Sequence, residues 1–270
     1  MKKKPILAIV VPCFNEEEVL PETISRLANV LDSLLAQNLI SQESFITFVD
    51  DGSRDKTWSI INDYHNKNAK IKGIKLARNA GHQKALLSGL LTVRNKADVT
   101  ISIDADLQDD VNVINDFILK YHEGSEIVFG IRKDRSTDTK FKKWTAQVFY
   151  KLMKIMGVDI VYNHADYRLA SSRVLNHLAD FREVNLFLRG LFPLIGFKTD
   201  YVYYDRLERF AGESKYPFLK MLSFALDGIT SFSILPLRFI VFLGVLIFII
   251  SIVLSLWVLV QWFKGDIVVG

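Results

Sequence analysis

Short apolar runs alternate with amphipathic helical segments through the first half of this 270-residue chain. The runs are almost entirely apolar, which is typical of strands that helices cover on both faces of a sheet. Such alternation predicts right-handed β-α-β crossovers and a mostly parallel sheet. The predicted strands are Leu7–Val11, Phe45–Val49, Ile71–Leu76, Val99–Ile103 and Glu126–Ile131. The predicted helices are Glu16–Leu35, Lys56–Asn66, Gln83–Arg94 and Val111–Tyr121.

Polar and acidic residues follow three of these strands at the point where each strand ends. These motifs are Pro12–Glu16, Asp50–Ser53 and Asp104–Gln108. The carboxyl ends of parallel strands face the crevice in which α/β sheets bind ligands, so we expect the three motifs to lie close together. Asp104 and Asp106 would point the same way from an extended chain. With the Gln108 carbonyl oxygen they suit a hard divalent cation that carries a nucleotide diphosphate. An acidic turn that caps the next helix is the alternative for a bare Asp-x-Asp.

The chain lacks the two glycine-rich motifs that hold nucleotides in many α/β folds. Neither Gly-x-Gly-x-x-Gly nor Gly-x-x-x-x-Gly-Lys-Ser/Thr occurs in it. A dinucleotide-binding turn and a P-loop are therefore not supported. A nucleotide would instead be held by side chains and a metal ion.

An apolar run extends from Leu237 to Phe263, and its only charged residue is Arg238. A helix of that length would measure about 40 Å and could cross a bilayer core of about 30 Å with some tilt. A buried helix of a soluble protein rarely stays apolar on every side, so we expect a transmembrane helix at residues 236–263. Residues 264–270 would begin an extracytoplasmic loop, and a truncation before a second span stays open.

Lysine and arginine outnumber the acidic residues, and the formal net charge is +4. Basic proteins often bind nucleic acid, but a membrane span favours an anionic lipid or substrate, and we expect no nucleic-acid partner. Most of these cations precede the apolar run, which predicts an integral protein of the cell membrane with residues 1–214 as a cytoplasmic domain. The composition of residues 144–156 and 216–233 suits helices at a membrane surface, and we place juxtamembrane amphipathic helices at 215–235. An ordinary solvated basic face is the alternative for residues 144–156.

Five motifs, in their order and spacing, resemble the family 2 glycosyltransferases with the GT-A fold. They are Pro12–Glu16, Asp50–Ser53, Arg78–Gln83, Asp104–Gln108 and Arg206–Tyr216. Together with the apolar run, they resemble the polyprenyl-phosphate glycosyltransferases, which include dolichol-phosphate mannose synthases and the bacterial GtrB-like enzymes. The resemblance covers nearly all of the chain. It implies an α/β fold with a GT-A nucleotide-sugar-binding domain and a mostly parallel sheet.

The resemblance also implies a reaction. One sugar would pass, with inversion, from a nucleotide-sugar to polyprenyl phosphate at the cytoplasmic membrane face, with Mg²⁺ or Mn²⁺ as cofactor. UDP-glucose is the favoured donor, followed by UDP-N-acetylglucosamine and GDP-mannose, and undecaprenyl phosphate is the expected acceptor. A homo-oligomer stays open. The alternatives are a processive polysaccharide synthase, whose Gln-x-x-Arg-Trp motif this chain lacks, and an inactive membrane scaffold.

Particular residues take roles from the same resemblance. The base and ribose would be held by Pro12, Phe14, Glu16 and Asp51. The metal ion and the diphosphate would be held by Asp104, Asp106 and Gln108, with Ala105 in the same nucleotide-sugar site. The phosphates of the donor would contact Arg132, Arg209 and Lys215. The phosphate of the acceptor would contact Arg132, Arg135 and Lys140.

Asp106 and Asp166 are the expected catalytic residues. Asp166 matches an acidic position that is often assigned as a general base in the GtrB-like enzymes. It could instead orient Arg168 or the sugar hydroxyls, and both roles stay open. His82 and His164 lack metal-ligand spacing and receive no role. The single cysteine, Cys13, is expected to be a small buried residue beside the nucleotide crevice.

Overall fold

A computed structural model of the protein describes residues 4–133, 164–181, 188–207 and 235–265. Seven strands in this part of the chain form one sheet. They are β1 (Leu7–Cys13), β2 (Phe45–Asp50), β3 (Ile71–Lys75), β4 (Val99–Ser102), β5 (Ile127–Arg132), β6 (His164–Ser171) and β7 (Thr199–Tyr204). The strand order is β3-β2-β1-β4-β6-β5-β7, and every neighbouring pair is parallel except the two that contain β6. The predicted mostly parallel sheet is confirmed, and the five predicted strands match within two residues.

Helices follow most of the strands, as the alternation predicts. They are α1 (Leu20–Ala36), α2 (Thr57–Lys67), α3 (His82–Val93), α4 (Ile114–His122), α5 (Ser172–Leu178), α6 (Leu188–Ile195) and α7 (Leu235–Lys264). Three helices begin later than predicted: α1 and α4 by several residues and α2 by a single residue. The start of α1 has Pro21 in its first turn, where proline favours a helix start, and a short 3₁₀ helix at Val111–Val113 precedes α4.

The two faces of β1 pack against different helices. Leu7, Ile9 and Val11 belong to a buried cluster that includes the apolar face of α1, whereas Ala8 and Val10 belong to a second cluster with α3. Successive side chains of a strand point to opposite faces of the sheet, so the apolar residues of β1 are buried on both faces. Gly89 lets α3 approach closely, because a Cβ atom there would lie 2.6 Å from a Val10 methyl group. This packing holds the carboxyl ends of β1, β2 and β4 at one edge.

The sequence patterns did not predict β6. It lies antiparallel between β4 and β5, with Ser102 opposite Arg168. If this register is continued for two residues beyond Ser102 and Arg168, Asp104 lies opposite Asp166. An acidic residue far along the chain is thereby placed beside the Asp-x-Asp motif.

The predicted apolar helix is confirmed as α7. Residues Leu237–Lys264 form the one helix, among the residues that the structure describes, that is long and apolar enough to cross a membrane. An 18-residue stretch of this helix has a mean hydropathy of 3.1, and none of that stretch is buried against the rest of the described chain. The Ser251 and Ser255 hydroxyls donate to carbonyl oxygens one turn earlier, which satisfies their polarity within the helix.

Several predictions fall outside the described residues. These are the surface helix at 144–156, the juxtamembrane helices at 215–235 except for Leu235, the loop at 266–270, and the basic residues Arg135, Lys140, Arg209 and Lys215.

Candidate active site

The loops that follow β1 and β2 are joined by hydrogen bonds in both directions. The Asn15 amide donates to Ser53 Oγ at 2.9 Å, and the Glu16 amide donates to Thr57 Oγ1 at 2.8 Å. In return, the Arg54 amide donates to Asn15 Oδ1 at 2.9 Å. Asn15 has a φ of 52°, a left-handed conformation that asparagine tolerates well. The first two predicted motifs therefore form one connected surface at the edge of the sheet.

Asp51 holds the turn that leads into α3. Its side chain is buried, Oδ1 accepts a hydrogen bond from the Ala80 amide at 2.7 Å, and Oδ2 accepts one from the Gly81 amide at 3.0 Å. Both oxygens thus bind the backbone directly before His82. The predicted contact of Asp51 with a base or ribose stays a prediction, and the structure gives this residue a positioning role in addition.

The other residues predicted near the nucleotide lie around the same edge. Pro12, Cys13 and Ala105 are buried, while Phe14 and Glu16 are partly exposed. The Ala105 carbonyl accepts a hydrogen bond from Thr23 Oγ1 at 2.7 Å, which ties the Asp-x-Asp motif to α1. Burial raises the pKa of the Cys13 thiol well above its usual value, as expected for an unreactive buried residue.

The Asp-x-Asp motif differs from the expected extended geometry. Strand β4 ends at Ser102, so neither aspartate lies on the strand. Asp104 comes just before a turn, and Asp106 lies within that turn. The Oδ1 atom of Asp104 is buried and has no hydrogen-bond partner among the described residues. Asp106 Oδ1 accepts a hydrogen bond from the Gln108 amide at 3.2 Å, and the Gln108 side-chain oxygen accepts one from Arg206.

The carboxylate oxygens of Asp104 and Asp106 suit a divalent cation that takes only a few of its ligands from the protein. No three His, Cys, Asp or Glu side chains within the described ranges are arranged to hold a metal ion. Mg²⁺ commonly takes one or two protein carboxylates and completes its coordination with substrate phosphates and waters. The buried Oδ1 atom of Asp104 accepts no hydrogen bond from a described residue and lies 3.6 Å from His82 Nε2, so it could serve with Asp106 as such a carboxylate ligand. The predicted third ligand, Gln108, is turned to Arg206 and would have to leave it.

Asp166 is the centre of a cluster of cationic and polar side chains. It is buried, and Oδ2 accepts from Arg189 Nη2 at 3.2 Å and from Gln83 Nε2 at 3.3 Å. Oδ1 accepts from Arg168 Nη2. Burial alone would raise the pKa of Asp166, but Arg189, His82 and Arg168 hold it well below its usual range. This carboxylate is therefore a poor proton acceptor and a strong organiser of its neighbours.

His82 links Asp166 to the Asp-x-Asp motif. Its Nε2 atom lies 3.4 Å from Asp166 Oδ2 and 3.6 Å from Asp104 Oδ1. Burial lowers the pKa of His82, but the hydrogen bond with Asp166 and the two carboxylate charges outweigh burial and raise that pKa to about 9. Burial raises the pKa of Asp104 to about 6, opposed by His82 and reinforced by the charge of Asp166.

From the sequence, His82 received no role, and these contacts were not predicted. The imidazole lies between two residues of the predicted site. The available signal was its place in the Arg78–Gln83 motif, at the start of α3. Metal-ligand spacing was not the relevant test, since His82 contacts carboxylates.

Arg132 lies in a separate cluster with Asp109 and Tyr204. Its Nη2 atom donates to Asp109 Oδ1 at 2.9 Å, and the Tyr204 hydroxyl donates to the same oxygen at 2.6 Å. Burial opposes the charge of Arg132, but Asp109 outweighs it and raises the pKa of the guanidinium. The charge that Arg132 was predicted to offer to phosphate is thus largely balanced by Asp109, and neither Asp109 nor Tyr204 was predicted.

Comparison with models of known protein families assigns the chain to a family. The model of the family described as "Glycosyl transferase family 2" matches residues 8–179, which include all of the clusters above except Arg189, Tyr204 and Arg206. The chain belongs to glycosyl transferase family 2. The expected family membership is confirmed.

Relatives of this family 2 glycosyltransferase extend over nearly all of its length. The Bacillus subtilis protein described as "Uncharacterized glycosyltransferase YkoT" is 55% identical over 264 residues, which are 98% of this chain and 78% of that protein. The "Bactoprenol glucosyl transferase" of Shigella phage SfV is 39% identical over 94% of this chain and 81% of its own. The Escherichia coli "Prophage bactoprenol glucosyl transferase homolog" is 38% identical with the same coverage.

A solved structure supports the fold. Glucosyl-3-phosphoglycerate synthase from Mycobacterium tuberculosis, crystallised with Mn²⁺, UDP and phosphoglyceric acid, matches with a TM-score of 0.53 and 14% identity. The match covers 83% of this chain and 76% of that one. At this identity the likeness shows the fold alone, and the expected GT-A fold is confirmed.

Proposed function

We propose that this family 2 glycosyltransferase transfers one sugar, with inversion, from a nucleotide-sugar to polyprenyl phosphate at the cytoplasmic face of the cell membrane. The observation that carries the proposal is the Asp104–His82–Asp166 cluster at the carboxyl edge of the sheet, in a chain that also contains the exposed apolar helix α7. Two relatives described as bactoprenol glucosyl transferases or their homologues support a lipid acceptor and favour UDP-glucose over other donors.

The chain's own residues would hold the donor by its phosphates. Asp104 and Asp106 would bind Mg²⁺ or Mn²⁺, which stabilises the negative charge that develops on the departing nucleoside diphosphate. The surface formed by the loops after β1 and β2 would hold the base and ribose through Phe14 and Glu16. Arg209 and Lys215 stay proposed phosphate contacts, as do Arg135 and Lys140 for the acceptor.

Of the two roles left open for Asp166, we propose the positioning role. The second pKa of a phosphate monoester is near 6, so the acceptor is mostly a dianion at neutral pH and needs little deprotonation. A carboxylate whose pKa is held well below its usual range would in any case be a weak base. Asp166 instead orients His82, Arg168 and Arg189 through its two oxygens.

Helix α7 would anchor the enzyme as an integral membrane protein. Its exposed surface is apolar on all sides, including Trp257 and Trp262, which suit a membrane–water interface. Such an anchor would keep the catalytic domain beside a lipid acceptor that does not leave the bilayer. The bulk of the lysine and arginine precedes the helix and favours a cytoplasmic catalytic domain.

The experiment is a donor screen with the full chain in detergent. Undecaprenyl phosphate, Mg²⁺ or Mn²⁺ and one nucleotide-sugar at a time are supplied, and mass spectrometry detects lipid that has gained sugar. We expect one hexose from UDP-glucose, no product with EDTA, and no product from Asp106→Asn. Addition of several sugars would instead indicate a processive synthase. An absence of nucleotide binding would leave an inactive scaffold and overturn the proposal.

A further inference from the structure

The loop at residues 104–110, which contains the Asp-x-Asp motif, is joined to the rest of the fold along its length. The Ala105 carbonyl accepts a hydrogen bond from Thr23 Oγ1 at 2.7 Å, and the Gln108 carbonyl accepts one from the Leu207 amide at 2.9 Å. The backbone of the loop is thereby tied to α1 and to the residues that follow β7.

Asp109 ties the same loop to the ends of β5 and β7 through its side chain. It is 2% exposed, and it is the one buried acidic residue of the loop. Its Oδ1 atom accepts hydrogen bonds from Arg132 Nη2 at 2.9 Å, from Arg132 Nε at 3.2 Å and from the Tyr204 hydroxyl at 2.6 Å. Arg132 and Tyr204 end their strands and lie opposite each other in the parallel register. Two neighbouring strands thus hold one carboxylate oxygen.

The compensation for burying this carboxylate is concentrated at that oxygen. The Oδ2 atom of Asp109 is buried and accepts no hydrogen bond from a described residue. A buried carboxylate is costly unless it is paired and hydrogen-bonded, so the donors at Oδ1 offset that cost. Loss of either donor would leave the carboxylate under-compensated and loosen the loop that carries it.

The loop depends on such support because its backbone adopts a conformation that leucine disfavours. Leu107 has a φ of 57°, in the left-handed region, where the Cβ atom crowds the following carbonyl oxygen. Its side chain is 3% exposed, in the core cluster that includes the apolar face of α1. Backbone strain of this kind persists only where the surrounding contacts hold it. Since Leu107 lies between Asp106 and Gln108, its φ sets the relative direction of both.

We propose that Asp109 is a positioning residue, held by Arg132 and Tyr204. It keeps the loop in the conformation in which Asp104 and Asp106 would bind the divalent cation. The inference rests on the proposed function, because that function assigns the cation to these two aspartates. Arg132 then acts on the donor through Asp109 and not by touching phosphate. A loop that is held in advance need not be ordered when the cation arrives, so the cation binds more tightly.

The test measures Mn²⁺ binding in the presence of UDP, with the full chain in detergent, by electron paramagnetic resonance of free Mn²⁺. Asp109→Asn keeps the shape of the side chain but removes the charge that attracts the guanidinium. We expect it to weaken Mn²⁺ binding at least about 10-fold, the effect of changing a residue behind the metal ligands. Tyr204→Phe removes one donor and no charge, and it should weaken Mn²⁺ binding roughly 3- to 10-fold.

The matched control is Tyr203→Phe. Tyr203 precedes Tyr204 on β7, and its side chain is 56% exposed on the opposite face of the sheet. Removal of its hydroxyl should leave the affinity for Mn²⁺ unchanged.

A double variant decides how Arg132 acts. Arg132→Gln alone leaves the Asp109 carboxylate buried without its cation, whereas Asp109→Asn combined with Arg132→Gln removes both charges. If Arg132 acts through Asp109, the double variant binds Mn²⁺ with UDP no more weakly than the weaker of the two single variants. Losses of affinity that add would place Arg132 directly on phosphate and overturn the role assigned to it.

Thermal unfolding without Mn²⁺ and UDP separates positioning from folding. We expect Tyr204→Phe to be fully folded at the temperature of the assay, so that its weaker Mn²⁺ binding comes from the loop. A loss of Mn²⁺ affinity confined to variants that are partly unfolded at that temperature would mean a structural role only.

The remaining outcomes separate this inference from the proposed reaction. Equal Mn²⁺ affinities in wild type, Asp109→Asn and Tyr204→Phe overturn the positioning role. A wild type that binds no Mn²⁺ with UDP overturns that role together with the assigned metal ligands. If wild type binds Mn²⁺ more tightly than both variants but transfers no sugar, the proposed reaction fails while the positioning role stands.

Discussion

His82 and Asp166 meet at 3.4 Å although 84 positions separate them in the sequence, and the imidazole also lies 3.6 Å from Asp104. Each residue belongs to a different element: His82 begins α3, Asp166 lies on β6 and Asp104 follows β4. The site is therefore sensitive to any change that moves one element relative to another. It also concentrates two carboxylates and three cationic groups, those of His82, Arg168 and Arg189, in a small region, where a substrate phosphate would find both attraction and repulsion.

We predict that His82→Gln lowers the rate of sugar transfer at least about tenfold without unfolding the protein. Glutamine can donate a hydrogen bond to Asp166 but carries no charge to offset Asp104 and Asp166. Initial rates at saturating donor and acceptor measure the effect. His177→Gln is the control, since His177 is an exposed histidine on α5. A His82→Gln enzyme as fast as wild type would remove the imidazole from the chemistry.

Asp104→Asn should weaken the binding of Mn²⁺ in the presence of UDP. Asn keeps the shape of the side chain but loses the charge of the buried Oδ1 atom, which accepts no hydrogen bond from the described residues and lies 3.6 Å from His82 Nε2. Loss of a direct ligand should cost more than the roughly 10-fold that a change behind the ligands can cost. Electron paramagnetic resonance of free Mn²⁺ measures the affinity. Asp63→Asn, an exposed substitution on α2, should leave it unchanged; equal affinities for Asp104→Asn and wild type would refute the assigned ligand.

Gly52→Ala should destabilise the protein more than Gly124→Ala. Both glycines have a left-handed φ, 69° and 93°, so alanine costs about 1–2 kcal/mol in backbone strain at each position. At Gly52 a Cβ atom would also lie 2.6 Å from the Arg78 carbonyl carbon and 2.7 Å from the Asn79 nitrogen. At Gly124 the nearest atom is Lys198 Nζ, at 3.7 Å. Thermal unfolding should show a lower melting temperature for Gly52→Ala than for Gly124→Ala. Equal melting temperatures would mean that the loop around Arg78 moves to accommodate the added Cβ atom at no cost.

Asp55→Ala should destabilise the protein at neutral pH but not in acid. The carboxylate accepts hydrogen bonds from the Thr57 amide at 3.0 Å and the Glu17 amide at 3.1 Å. Burial raises the pKa of Asp55, but these bonds outweigh it and hold the pKa below its usual value. A lowered pKa in the folded state means that the stabilisation is fully present above the unfolded pKa of about 3.9 and is lost progressively as pH falls from there through the lower pKa of the folded state.

The measurement for Asp55 is the difference in melting temperature between wild type and variant at pH 7 and near pH 3. Loss of these hydrogen bonds to the Asp55 carboxylate costs about 1 kcal/mol, and this difference should shrink in acid. Asp63→Ala, which removes an exposed carboxylate from α2, the helix that follows Asp55, should show no comparable change. A difference in melting temperature between wild type and Asp55→Ala that stays constant with pH would show that the charge of Asp55 does not stabilise the loop.

Local patterns in the sequence were sufficient for much of the fold. The five predicted strands and four predicted helices exist, since burial on a sheet or along a helix leaves a short-range periodicity of apolar residues. The strand β6 was missed for the opposite reason. It contains Asp166 and Arg168, two charged residues that are buried because each neutralises the other, and such compensation leaves no apolar pattern in the sequence.

The sequence by itself determined the alternation of strands and helices, the acidic strand ends, the apolar helix α7 and, by resemblance, the family. These follow from residues that are adjacent or regularly spaced. Only the tertiary structure decided that Asp166 faces Asp104, that His82 joins them, and that Asp109 balances Arg132. Those pairings depend on the insertion of an antiparallel strand between β4 and β5. Electrostatic interactions act through space, so partners that are distant in sequence are fixed only once the sheet has assembled.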